Sequence, residues 1–260
     1  MLIAAAVLPH PPLLIPAIAG GAAGELDGLR QACQFAIGQV IQSNPDVVLV
    51  VGGANEPATF EAGAVGSLSG FGLDFAVRLP GTRVTGGGQL TGASAQQELP
   101  LSLTVAAYLL SEASVATAVR GHAVDYRMSS SKAQYVGAEL ADVNPRVAMV
   151  VMGDGSACLS VKAPGYVVDG AKEWQQHVDA LFAAADFKAM GQLTEVDADR
   201  FWVDGRAAWQ VLAGAAMSKP SDGAQEVGSS KWARDIHYAK APLGVQYLVA
   251  SFRRTARSSE

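Results

Sequence analysis

The chain is poor in the residues that mark specialised surfaces. It has two cysteines in 260 residues, Cys33 and Cys158. Their separation fits no metal or redox spacing, so a disulfide-stapled scaffold and a cysteine-rich metal site are both excluded. Each reads as a small buried hydrophobe. Lys and Arg number 19 against 24 Asp and Glu, giving a net charge of −5. Nucleic-acid surfaces need clustered Lys and Arg, and here these residues are scattered, so no nucleic acid is expected as a partner. The one cluster, Arg253, Arg254 and Arg257, reads as a solvated terminus. No run of about 18 apolar residues occurs, so no membrane span is expected. The first basic residue is Arg30, and prolines interrupt the early apolar stretch. A secretory leader is therefore not expected, and the expected location is the cytoplasm. Aromatic residues make up only 7%, and Trp202, Trp209 and Trp232 read as core packing.

What the chain does have is apolar mass: half of its residues are hydrophobic. Strand-like runs alternate with helical patterns, the signature of a layered α/β domain with a mostly parallel central sheet. The length favours a single domain spanning residues 1–260. Strands are expected at Leu2–Leu8, Val47–Val51, Val115–Val119, Val147–Met152 and Val245–Phe252, with a weaker one at Leu73–Leu79. Helices are expected at Glu25–Gln42, Pro100–Glu112, Ser129–Ala141, Lys172–Ala185 and Arg206–Met217, from apolar residues at three- and four-residue steps. Residues 52–70 and Thr85–Gly92 read as loops. Lys219–Ser230 is polar and rich in Gly and Ser, the best candidate for a mobile loop.

The pattern Pro9-His10-Pro11-Pro12-Leu13-Leu14-Ile15-Pro16 follows directly on the first strand. Proline cannot donate to a sheet ladder and biases its predecessor to extended geometry, so His10 stands on a stiffened turn at a strand end. Ligand sites in open α/β sheets gather beyond the carboxyl ends of strands. Two more loops share that position: Gly52-Gly53-Ala54-Asn55-Glu56-Pro57 and Gly153-Asp154-Gly155-Ser156-Ala157-Cys158. Their glycines permit sharp turns and close backbone approach. With parallel strands, Asn55, Glu56 and Asp154 are expected to converge on His10.

These motifs resemble the LigB-like chains of the class III extradiol ring-cleavage dioxygenases, over nearly the whole sequence. The Pro9–Pro16 motif is the most specific match. Residues 45–51, 99–103 and 241–250 resemble further family segments, and Gly153-Asp154-Gly155-Ser156 resembles the family's Gly-Asp-Leu-Ser-His. The resemblance implies an α/β domain holding non-haem Fe(II) through two histidines and one carboxylate, with open positions for a catechol and O2. A further histidine would act as acid and base. His10 falls on the first ligand. Ala54, or Asn55 in a slipped register, falls on the second, and Ala157 on the acid–base histidine. Ala239-Lys240-Ala241 occupies the region of the carboxylate. The resemblance therefore points to a superfamily member with a degraded iron centre, inactive in ring cleavage or repurposed to hold a small aromatic or other small molecule.

Two enzymatic readings stand beside it. A substitute ligand set of His10, Glu56 and Asp154 suits Zn or Mn as well as Fe, for a metal-dependent dioxygenase or hydrolase. A metal-free hydrolase would use Ser156 with His10, although the Gly-x-Ser-x-Gly elbow is missing. His237 ranks second to His10 as a histidine facing the cleft, and with His10 and Asp154 it completes the catalytic candidates. His122 reads as a loop residue and His177 as a surface residue of its helix. A homo-oligomer, most simply a dimer, is the expected assembly.

Overall fold

The structure is a computed structural model that describes residues 1–82, 98–218 and 232–255. Among the described residues, nine strands run in chain order: β1 Leu2–Leu8, β2 Val47–Ala54, β3 Ala58–Glu61, β4 Val65–Ser67, β5 Ala76–Arg78, β6 Ala118–Asp125, β7 Val147–Met152, β8 Trp232–Lys240 and β9 Tyr247–Arg254. The helices are α1 Pro16–Ala19, α2 Asp27–Gln42, α3 Leu101–Ser111, α4 Ser130–Ala141, α5 Ala171–Ala184, α6 Phe187–Met190, α7 Glu195–Arg200 and α8 Arg206–Met217. Seven strands form one sheet in the order β3-β6-β2-β7-β1-β9-β8, while β4 and β5 pair separately. The neighbours β6, β2, β7 and β1 are mutually parallel. The outer strands β3, β9 and β8 pair antiparallel. The expected parallel core is therefore present, with antiparallel margins.

The central strands are buried along their whole length, which is why they read as continuous apolar runs rather than alternating ones. Ala4, Ala6, Leu8, Val48, Val50 and Met152 pack on one side, with Leu29, Cys33 and Ile37 of α2 and Leu103 of α3. Ala5, Val7, Leu49, Val51 and Met149 pack on the other, with Phe182 of α5 and Trp209 and Leu212 of α8. On that second side α4 and α8 cross at backbone distance. A Cβ placed on Gly137 would lie 1.9 Å from the Val211 carbonyl oxygen, and one on Gly214 would lie 2.0 Å from that of Gln134. Ser129 caps α4 by accepting the Lys132 N–H, the role expected of serine at a helix start.

Several expectations are corrected. The third expected strand, Val115–Val119, is instead β6 at Ala118–Asp125. Its Arg120, Gly121 and His122 interrupt the apolar run, so the strand escapes a periodicity reading. The stretch 52–70 is no simple loop, because it carries the end of β2 together with β3 and β4. The closing strand runs Tyr247–Arg254, and it is preceded by β8, a further strand outside the expected set. Edge strand β8 is half-exposed and charged, so it lacks the apolar signal of its neighbours. Trp202 is 56% exposed rather than core, whereas Trp209 is buried. Thr85–Gly92 and Lys219–Ser230 lie outside the described residues.

Candidate functional site at the ends of β1 and β7

Strands β1 and β7 pair in parallel up to Leu8 opposite Met152. The next residues of both strands therefore leave the sheet side by side. The Gly153 N–H donates to the Leu8 carbonyl at 2.9 Å, extending the pairing by one step. Beyond it, the His10 N–H donates to Asp154 Oδ1 at 2.8 Å. The His10 ring lies over the same carboxylate, with Nδ1 3.7 Å from Oδ1, too long for a hydrogen bond. Nδ1 is buried with no hydrogen-bond partner. The prolines hold this turn: Pro11 is extended, and Pro12 starts a short 3-10 turn, Pro12–Leu14. The expected convergence of His10 and Asp154 is thus realised.

The corner is largely buried but not sealed. His10 is 4% exposed, while the Asp154 side chain keeps 14% of its surface. Burial raises the Asp154 carboxyl above its ordinary range, against the opposing pull of His10 and of the His10 N–H. Tyr126 is pushed up to about 12 by burial, then by Asp204 and Asp154. Burial also raises the Cys33 thiol and the Tyr247 phenol, with the Asp154 charge as the next cause in each. A half-buried carboxylate is a strong acceptor for any ligand that carries a donor.

A polar frame fixes the loop after β7. The Ser156 N–H donates to Gln175 Oε1 at 2.8 Å. Gln175 Nε2 and Gln246 Nε2 both donate to Asp179, at 2.8 and 3.0 Å. The Gly155 N–H donates to the Gln246 carbonyl, and the Gly205 N–H to that of Asp154. Sequence reading misses this frame. Its only local signal is Gln175 and Asp179 four apart on α5; Gln246 joins through the tertiary fold.

The other candidates fall elsewhere. Ala54 ends β2 and is buried, and Asn55 and Glu56 beyond it are exposed. Among the described residues, no three His, Cys, Asp or Glu side chains gather as a metal-binding group. The set His10, Glu56 and Asp154 is therefore not assembled. His237 stands within edge strand β8, its Nε2 2.8 Å from Ser251 Oγ and its ring edge-on to Phe35 at 4.9 Å. It joins neither His10 nor Asp154 in any hydrogen bond or ion pair of the structure. His122 is not on a loop: it lies mid-strand in β6, and its pairing opposite Val51 turns it to the α8 side. His177 is exposed on α5, and lines an open surface cleft of about 470 Å³ with Trp174, Lys188 and Leu193. Ser156 is fully buried; its Oγ donates to the Phe201 carbonyl and accepts the Cys158 N–H. Those bonds make it a turn-holding residue rather than a nucleophile. Cys158 is buried within the same core.

An iron facial triad requires two imidazoles and one carboxylate with open positions between them. This corner offers one imidazole and one carboxylate already accepting a main-chain N–H, while Ala54 and Asn55, the positions the resemblance assigns to the second histidine, carry no imidazole. The residues present do not fit the iron centre that the family resemblance implies.

No protein-family model and no curated protein matches the chain. A solved structure does: an uncharacterised protein, JW3007, from Escherichia coli K12. The likeness is one of fold. It covers 96% of this chain and 99% of that one, at a TM-score of 0.57 and 13% identity. Identity that low shows shared architecture and nothing of chemistry, since sites are grafted on folds.

Proposed function

We propose that this chain is a divergent relative of the class III extradiol dioxygenases that has lost the iron centre and uses the His10–Asp154 corner to hold a small molecule. The observation that carries the reading is the meeting of a buried imidazole and a half-buried carboxylate at parallel strand ends; the resemblance sets Ala54, or Asn55, where a second imidazole would be required. The Asp154 carboxylate would accept a hydroxyl or amine of the ligand. The partnerless His10 Nδ1 would complete the contact as donor or acceptor. Small aromatic hydroxyl compounds carry the donors that such a carboxylate would accept, and binding them requires no redox step.

Two measurements on tag-free protein test the proposal. After reconstitution with Fe(II), Zn(II) or Mn(II) and desalting, bound metal should be far below one per chain, and catechols should not be ring-cleaved. Phenol and catechol titrations followed by NMR should move the His10 ring signals, and Asp154→Ala should weaken binding about tenfold, the loss of one charge-assisted hydrogen bond. Stoichiometric metal with turnover would instead support a metal-dependent dioxygenase or hydrolase built on a substitute ligand set around His10. Absence of both metal and ligand binding would remove function from this corner altogether.

A further inference from the structure

Strand β8 ends the seven-stranded sheet, so among the described residues one of its main-chain edges has no strand beside it. At nine residues it exceeds the usual strand length of about five or six. An edge of this kind is a template for pairing with another chain. Its neighbour α2 is unusual for a surface helix. From Gln31 to Gln42 it carries no charged residue, reading QACQFAIGQVIQ. Phe35, on that stretch, is 57% exposed, and a Cβ at Gly38 would meet nothing within 4 Å. Charge depletion around an exposed aromatic is the composition of an interface core, not of a solvated helix face.

The two features are continuous. Phe35 stacks edge-on against His237 of β8, and Gln39 lines one small hollow with Ala233 and Asp235. Helix α2 therefore runs antiparallel to β8, with Phe35 beside the middle of the strand. We propose that this surface binds a second copy of the chain, β8 pairing antiparallel with its twofold mate about Ile236.

The register follows from self-complementarity. A twofold axis normal to the sheet sets Ile236, itself 37% exposed, opposite its own copy. It sets Asp235 opposite His237 of the second chain, a carboxylate against an imidazole on the α2 side. Shifted by two residues to centre on Arg234, the same pairing would put Asp235 against Ala233 and lose that match. A register break between Ile236 and Tyr238 turns both His237 and Tyr238 towards the α2 side, where the incoming Asp235 arrives. The two Phe35 rings then stand on either side of the axis, so strand edge, carboxylate–imidazole contact and apolar contact are satisfied by one symmetric operation.

Sedimentation velocity of the full chain across a concentration series tests this assembly, and dimer is the expected species. Phe35→Glu and Ile236→Lys alter exposed side chains and should leave circular dichroism unchanged, while raising the dimer dissociation constant at least tenfold. Directly opposed Cβ atoms in an antiparallel pair lie about 4.5–5.5 Å apart, close to disulfide reach. Ile236→Cys should therefore form a covalent dimer under mild oxidation, and the wild type should not, because Cys33 and Cys158 are buried. A monomer at every concentration would overturn the proposal. So would a dimer that survives both charged variants, or an Ile236→Cys chain that fails to cross-link.

Discussion

Two histidines are buried here, His10 at 4% exposure and His122 at 7%, and each keeps a ring nitrogen without a hydrogen-bond partner. Their settings are opposite. His10 stands beyond a strand end over a carboxylate. His122 stands mid-strand, 3.5 Å from the Thr59 hydroxyl, with Arg120 as its charged neighbour on β6 and Arg120 in turn 3.0 Å from Glu61. Burial and then Arg120 lower the His122 ring to about 4, so it is held neutral. Burial alone is thus no mark of a site. The sign of the nearest charge and the place on the strand are what separate the two corners. A carboxylate beside an imidazole makes a donor–acceptor pair for a ligand, whereas a guanidinium beside an imidazole, itself matched by Glu61, closes on itself.

The largest expected difference between the corners is in packing. A Cβ on Gly153 would stand 2.5 Å from the Gly205 Cα and 2.7 Å from Trp209 Nε1. Backbone cannot yield cheaply, so Gly153→Ala should destabilise by about 3 kcal/mol or more in urea unfolding. Beside His122, a Cβ on Gly121 would find its nearest neighbours at 3.3 Å, the side chains of Leu103 and Phe60. Gly121→Ala should cost about 1 kcal/mol or less. Equal losses at the two positions would mean that the β7 loop is no more tightly set than mid-strand β6.

These two corners also differ in how far the sequence discloses them. Leu2–Leu8 and Val147–Met152 are continuous apolar runs followed by Pro9-His10 and Gly153-Asp154, so strand, strand end and candidate residue can be read together. Parallel pairing of the two strands then brings the residues into contact without further information. His122 follows Arg120 and Gly121, whose polarity and small size hide β6, so it reads as a loop. The Gln175–Asp179–Gln246 frame is illegible because its members come from α5 and from the lead into β9, with 67 positions between Asp179 and Gln246. Glu56 shows the converse failure. Position after a strand end is legible, but the direction of an exposed loop is not, and Glu56 turns to solvent. Strand β8 and the exposure of Trp202 stay hidden for a related reason: edge strands and surface aromatics have no periodic signature of their own.

Titration separates the corners next. The His122 ring is at about 4 when folded, against an ordinary 6.5. Below pH 6.5 the unfolded chain binds a proton that the folded chain refuses. Stability from this residue is therefore complete above pH 6.5, falls as the pH drops towards 4, and is flat below that. The difference amounts to as much as about 3 kcal/mol. His122→Leu should flatten that part of the stability profile, measured as the difference between wild type and variant from pH 7 to 4. A wild-type slope unchanged by the substitution would show that His122 protonates freely and that its corner is open to water.

The smallest effect has the opposite sign and bears most directly on function. Burial raises the Asp154 carboxyl, so the folded chain takes up this proton before the unfolded chain does. The charged form opposes folding, and that opposition is relieved as the pH falls through the raised value. Asp154→Asn keeps an oxygen to accept the His10 N–H while removing the charge. Its melting temperature at pH 7 should therefore equal or slightly exceed that of the wild type, with the gap closing in acid. Asp154→Ala leaves that buried N–H without an acceptor and should lose about 1–3 kcal/mol. Both variants should lose the small-molecule contact. A carboxylate that can be neutralised with no loss of stability is maintained for something other than the fold, because structural ion pairs lose stability when one charge is removed. If Asp154→Asn instead melts well below the wild type, Asp154 is a brace for the Pro9–Pro16 turn. Both buried histidines would then be structural, His10 beside a carboxylate at a strand end and His122 beside a guanidinium in mid-strand.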